Sequence, residues 1–161
     1  MKVNSDEQVV RLIHRMWIVE GELQLNAFTL NDGETYLSVN RPAVESYMED
    51  VKFFLTKHNQ YTSSKNSCNY PRAVLTVNEI QDLSVSLEMK TASLSVEVEP
   101  RDSHYKSHAG IFTRIDGKNI KGGATQNITL DNNQVVSADA ILQKVRMHLL
   151  RHAKVEECAI K

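Results

Sequence analysis

The stretch Leu94-Ser95-Val96-Glu97-Val98-Glu99, closed by Pro100, alternates apolar and polar residues more cleanly than any other part of the chain. Successive side chains of a β-strand point to opposite faces, so this spelling describes a strand with one buried face and one acidic, hydrated face. A sheet with one wet side is typical of antiparallel pairing, whereas parallel strands buried on both sides read as unbroken apolar runs. Pro100 ends the pattern because it has no N–H to give to a ladder.

Working outward, Ser103 to Phe112 reads SHYKSHAGIF, and Ala109, Ile111 and Ile115 continue as a strand that Asp116-Gly117 turns. Upstream, Ala73 to Val77 is a short apolar run of strand type, Asn78 to Leu83 predicts one helical turn, and Leu87 with Met89 suggests a further strand. Leu23, Leu25 and Ala27 alternate with polar residues, and Asn31-Asp32-Gly33 turns the chain towards Tyr36, Leu37 and Val39, which together predict a hairpin. Asn127 to Leu130 is one more short strand candidate.

Three segments have helical spacing. Ser5 followed by Asp6, Glu7, Val9, Val10, Ile13 and Met16 predicts a short amphipathic helix over roughly 5–16. Pro42 opens a second helix over about 42–57, with Val44, Tyr47, Met48, Val51, Phe54 and Leu55 as its apolar positions. Ser137 and Asp139 cap a last helix with Ile141, Leu142, Val145, Leu149 and Leu150 on one face. Between the second helix and the strand at Ala73, residues 58–71 are polar and rich in Ser and Asn, which predicts an exposed loop. The order lacks a βαβα rhythm. The expectation is therefore one α+β domain over residues 1–161, with a mainly antiparallel or mixed sheet covered on one face by about three helices.

The composition excludes several classes. The 161 residues are 41% hydrophobic and 24% charged with a formal net charge of −1, which fits one ordinary globular domain and gives no global attraction to nucleic acid or anionic lipid. No segment reaches the ~20 apolar residues of a membrane span. The N-terminal MKVNSDEQVVRLIHR lacks the apolar core of a signal peptide, and two cysteines make no disulfide framework, so a cytoplasmic location is expected.

Complete chemical motifs are missing. His104 and His108 lie four apart, but residues four apart on a strand stand ~13 Å from each other, too far for one ion. No metal site and no cofactor are expected. In Lys121-Gly122-Gly123-Ala124-Thr125 the lysine precedes the glycines, the reverse of a phosphate loop. Cys68 and Cys158 lack the setting of a catalytic nucleophile. The junction Leu37-Ser38-Val39-Asn40-Arg41-Pro42 runs from strand to helix, a place where Ser38 and Arg41 are candidates to hold an anion. His108 is the candidate acid or base beside them. Lys144, Arg146 and Arg151, with His148, His152 and Lys154, make the C-terminal helix a cationic strip that suits a partner. The plainer reading is a solvated helix face whose cations favour the negative end of the dipole.

Trp17-Ile18-Val19 with Gly21, Ala27-Phe28, Leu37-Ser38-Val39 and His108-Ala109 with Ile111 resemble landmarks of small bacterial proteins without an assigned activity. That resemblance implies a bacterial cytoplasmic origin and brings no reaction, substrate or cofactor. The expected function is a non-enzymatic binding or accessory domain. Its expected partner is another protein, with nucleic acid as an alternative through the basic C-terminal helix, and no membrane is involved. The competing expectation is a small enzyme for a phosphorylated or nucleotide-like substrate, with Ser38 and Arg41 on the anion and His108 as acid or base.

Overall fold

The computed structural model describes residues 2–57, 68–86, 94–101, 105–123, 127–129, 133 and 135–160. In chain order the elements are β1 (Gln8–Leu12), β2 (Ile18–Val19), β3 (Glu22–Leu23), β4 (Tyr36–Asn40), α1 (Tyr47–Lys57), β5 (Cys68–Thr76), α2 (Val77–Ser86), β6 (Leu94–Pro100), β7 (His108–Ile115), β8 (Lys118–Asn119), β9 (Asn127–Thr129), β10 (Val135–Ser137), α3 (Ala138–His152) and β11 (Lys154–Ile160). Seven strands form one sheet in the order β11-β5-β1-β4-β7-β6, with β8 added to the end of β7. Every pairing described is antiparallel. The molecule is a single α+β domain, as the alternation around Val96 implies.

The helices divide between the two faces rather than sharing one. Val9, Leu75, Leu37, Ile111 and Val98 point to the same side and pack beneath Val77, Ile80 and Leu83 of α2 and Val145 and Leu149 of α3. On the other side, Val10, Val74 and Tyr70 lie under Tyr47, Val51 and Leu55 of α1. Those three α1 residues recur every four positions, the step that returns to one helix face. A third cluster joins Ile115 and Ile120 to Ala138, Ile141 and Leu142 at the start of α3.

Several boundaries differ from expectation, each for a physical reason. Residues 8–12 are strand, not helix, because Val9 and Val10 are each fully buried on opposite faces. A helix at this place would bury one of them well and expose backbone that β4 and β5 here satisfy. The expected hairpin from Leu23 to Val39 does not form. Leu25–Phe28 makes a 3₁₀ turn, and β4 pairs with β1 and β7 instead. Helix α1 starts at Tyr47, since residues 42–46 are held in tight turns by Val44 N–H to Arg41 O and Tyr47 N–H to Val44 O. Residues 58–67 of the expected loop, the strand candidate at Leu87 and Met89, and His104 lie outside the described residues. Residues 68–71 are not loop: they open β5, where Tyr70 and Pro71 are buried. The last strand, β11, adds to the expected elements and pairs with β5 over seven positions from Lys154↔Val74 to Ile160↔Cys68.

Arg11 locks the centre. Its Nε donates to the Ala27 carbonyl and its Nη1 to the Ser38 carbonyl at 2.8 Å, tying the 3₁₀ turn to β4. Burial pushes its pKa down to about 10, with Glu34 opposing. A second tie joins two turns: Gly33 N–H donates to Gly122 O and Gly122 N–H to Glu34 O, both at 2.9 Å. A methyl group at position 122 would overlap the Asn31 carbonyl oxygen and the Leu30 side chain. Gly122→Ala is therefore expected to destabilise the fold by ~1–3 kcal/mol, the usual cost of overpacking. Urea denaturation measures it, and an unchanged midpoint would refute the close docking of these turns.

Candidate functional site

The half of the sheet that α1 leaves open is built by β4, β7 and β6. Register places Tyr36 opposite Phe112, Ser38 opposite Gly110 and Asn40 opposite His108, all on the same face. Glu97 and Glu99 of β6 join that face opposite Phe112 and Gly110. Among the described residues no helix lies across this half.

Five rings run across it. Phe53 of α1, 58% exposed, meets Tyr105 at 5.6 Å between centroids. Tyr105 meets His108 edge-on at 6.3 Å, His108 meets Tyr36 at 6.0 Å, and Tyr36 meets Phe112 at 5.1 Å. These are ordinary aromatic pair distances, each worth ~0.5–1.5 kcal/mol beyond area burial. Gly110 makes the row possible. The Tyr36 ring lies where a side chain at 110 would be, and an added methyl would stand 2.6 Å from Tyr36 Cδ2. Two arginines cap the row: the Arg101 guanidinium is 5.0 Å from the Tyr36 centroid and 5.9 Å from that of Phe112, and Arg114 is 4.6 Å from Phe112.

The acids here are engaged. Arg114 donates to Glu99 at 2.5 and 2.9 Å and to Glu97 at 2.9 Å, and Lys2 reaches Glu97 at 2.6 Å. Arg114 holds the Glu99 carboxyl below the usual range, through its hydrogen bonds first, against the opposing effect of partial burial. Arg101 is exposed, and among the described residues no ion pair involves it.

The residues singled out from sequence fall in three places. Ser38 and His108 meet on the open face, with His108 Nε2 3.3 Å from Ser38 Oγ. Arg41 does not join them: its guanidinium makes a two-pronged pair with Glu7 at 2.7 and 3.0 Å, beyond the end of β4. Lys144, Arg146 and Arg151 ride on α3, which packs on the opposite side of the sheet. Lys144 and Arg151 are exposed, while Arg146 turns back to Gln143 and Asp139. Beside the ring row, buried Ser107 joins three elements: it accepts from Asn40 Nδ2 at 3.0 Å, and its N–H donates to Asp50 of α1 at 3.0 Å. Its carbonyl accepts from Arg41 N–H at 2.8 Å. That arrangement fixes β4, α1 and β7 to one another.

Sequence reasoning passed over Phe53, Tyr105, Arg101 and Gly110. The adjacent Phe53 and Phe54 were a usable signal, since neighbouring positions on a helix cannot both face one core. No three His, Cys, Asp or Glu side chains among the described residues are arranged around a common point for a metal ion. No helix among them is long and apolar enough to cross a membrane. No protein-family model, curated protein or solved structure matches the chain.

Two outcomes are expected. Gly110→Ala should displace Tyr36 and change the near-ultraviolet circular dichroism while far-ultraviolet signal persists; an unaltered near-ultraviolet spectrum would contradict the placement of that ring. A carboxyl whose folded pKa is depressed stabilises the fold above its unfolded pKa, about 4.3 for Glu, and that contribution is lost as pH falls through the folded value. Stability should thus decline on acidification below that point, and Glu99→Gln should decline less. Urea midpoints measured from neutral to acid pH check this, with equal acid sensitivity of the two proteins as the contrary result.

Proposed function

We propose that this chain is a non-enzymatic binding domain that receives a protein partner on the open half of its sheet. The observation carrying this reading is the row Phe53–Tyr105–His108–Tyr36–Phe112 with Arg101 and Arg114 stacked on it. Rigid aromatic side chains and arginines dominate binding energy at protein interfaces, and a charged rim such as Lys2, Glu97 and Glu99 fits the usual anatomy. The near-neutral charge of the chain favours a protein over nucleic acid. The cationic residues Lys144 and Arg151 on α3 belong, in this reading, to a solvated helix face. A bacterial cytoplasmic setting goes with the proposal.

A photo-crosslinking residue placed at position 53 or 36 in the living host tests it. Discrete protein adducts are expected from both positions and none from position 116, in the exposed β7–β8 turn. Absence of adducts at 53 and 36, or equal adducts at all three, would reject this surface. Adducts to nucleic acid alone would reject the choice of partner.

One contact favours a second reading, a small enzyme with His108 as acid or base: the 3.3 Å approach of His108 Nε2 to Ser38 Oγ. Imidazole titrates near neutrality and is within reach of a hydroxyl there. Arg41, engaged by Glu7, does not support an anion at this place. Under the binding reading, His108→Ala removes ring contacts and costs ~1–2 kcal/mol of stability. A thermal melt unchanged from wild type, together with loss of a phosphoester-cleaving activity, would favour the enzyme.

A further inference from the structure

Two histidines on α3 form an arrangement distinct from the open face. His148 and His152 stand four residues apart on a continuous helix, the spacing that returns side chains to one face. Their ring centroids are 4.4 Å apart. Both rings turn one nitrogen to the same residue of the neighbouring helix. His148 Nε2 is 2.7 Å from the Glu79 backbone oxygen, and His152 Nδ1 is 3.2 Å from Glu79 Oε2. A carbonyl oxygen only accepts, so His148 Nε2 carries the hydrogen. The Glu79 carboxylate stands within ion-pairing distance of His152 Nδ1.

The bond to the Glu79 carbonyl fixes the His148 tautomer: in the neutral ring the lone pair falls on Nδ1. Glu79 is itself held, since its Oε1 accepts from Thr76 Oγ1 at 2.7 Å and its N–H donates to the same hydroxyl at 3.3 Å, a capping arrangement at the start of α2. An imidazole that gives its N–H to a carboxylate or backbone carbonyl is oriented and made a better ligand through its other nitrogen. With metal–nitrogen bonds of about 2.1 Å, one ion joins two nitrogens up to about 4 Å apart, and the two ring centroids here stand 4.4 Å apart.

We propose that His148 and His152 form a two-histidine site for a divalent transition cation such as Zn²⁺ or Ni²⁺, with Glu79 as the positioning residue behind both rings. The ion takes two protein nitrogens and completes its shell with water, in keeping with the lack of a third converging side chain. Imidazole selects such ions over Mg²⁺ and Ca²⁺, which prefer oxygen. Arg151 and Lys154, close by in the sequence, oppose a cation and make the site a modest one, filled and emptied with the available concentration.

Calorimetric titration of the full chain with ZnCl₂ or NiCl₂ tests the site. One ion per chain is expected, with no saturable heat from MgCl₂. His148→Ala and His152→Ala should each abolish the binding, and Glu79→Ala should weaken it roughly 10–100-fold. If a variant fails to fold by circular dichroism, imidazole nitrogen spectra of the wild-type protein replace it: Zn²⁺ must move the signals of His148 and His152. No saturable zinc binding, undiminished binding in both folded histidine variants, or perturbation of other histidines alone would overturn the proposal.

Discussion

Val9 and Val10 are neighbours in the chain, and neither has any exposed surface. Adjacent strand residues point to opposite faces, so this pair requires both sides of the sheet to be covered at β1. The rest of the architecture follows from that requirement. Helices α2 and α3 must close one side over Val9, and α1 must close the other over Val10. Each buried valine contributes on the order of 1.5–3 kcal/mol, enough to decide the strand against the helical propensity of its surroundings. With β4 and β5 flanking it, β1 becomes the strand about which the sheet order is arranged.

One short helix cannot cover a seven-stranded face. Helix α1 lies over β1 and β5, and the surface of β4, β7 and β6 is finished by side chains instead. Phe112 is only 4% exposed although no helix among the described residues lies over it, because Tyr36, Arg101 and Arg114 pack on its ring. Gly110 supplies the room for Tyr36 to lie flat, a device by which an aromatic neighbour covers the backbone of a glycine in a strand. A surface made this way is ordered and, among the described residues, uncovered by any helix, and the proposed binding role rests on that property.

The far end of the sheet is finished differently. Arg72 of β5 reaches across to Glu156 of β11 and to the Tyr47 hydroxyl, which in turn contacts the Tyr70 hydroxyl at 3.1 Å. Burial, and then the bond with Tyr47, push the Tyr70 phenol pKa up and keep it neutral. The other edge, β6, receives the N-terminal segment, since Val3 N–H donates to Val98 O at 2.9 Å. Strand β11 carries Lys154, Glu156 and Glu157 along its exposed length, charges that discourage unplanned pairing.

Local periodicity was enough to read the strand at Val96, the capped helix from Ala138, the strand at Tyr36 and the α+β class, because each is a pattern within ten or so residues. It misread residues 8–12, since Val9, Val10 and Ile13 satisfy a helical spacing as well as a strand buried on both faces, and only the layers around them choose. It missed β11, whose mixed charges make a strand only against β5. The candidate site was legible as residue types and not as a place. Ser38 and His108 are seventy residues apart in the chain and meet because β4 and β7 pair in one register. Arg41, three residues from Ser38, leaves them because Glu7 lies on its side. Strand register and the choice of ion-pair partner are long-range consequences of packing, so tertiary structure alone decided them.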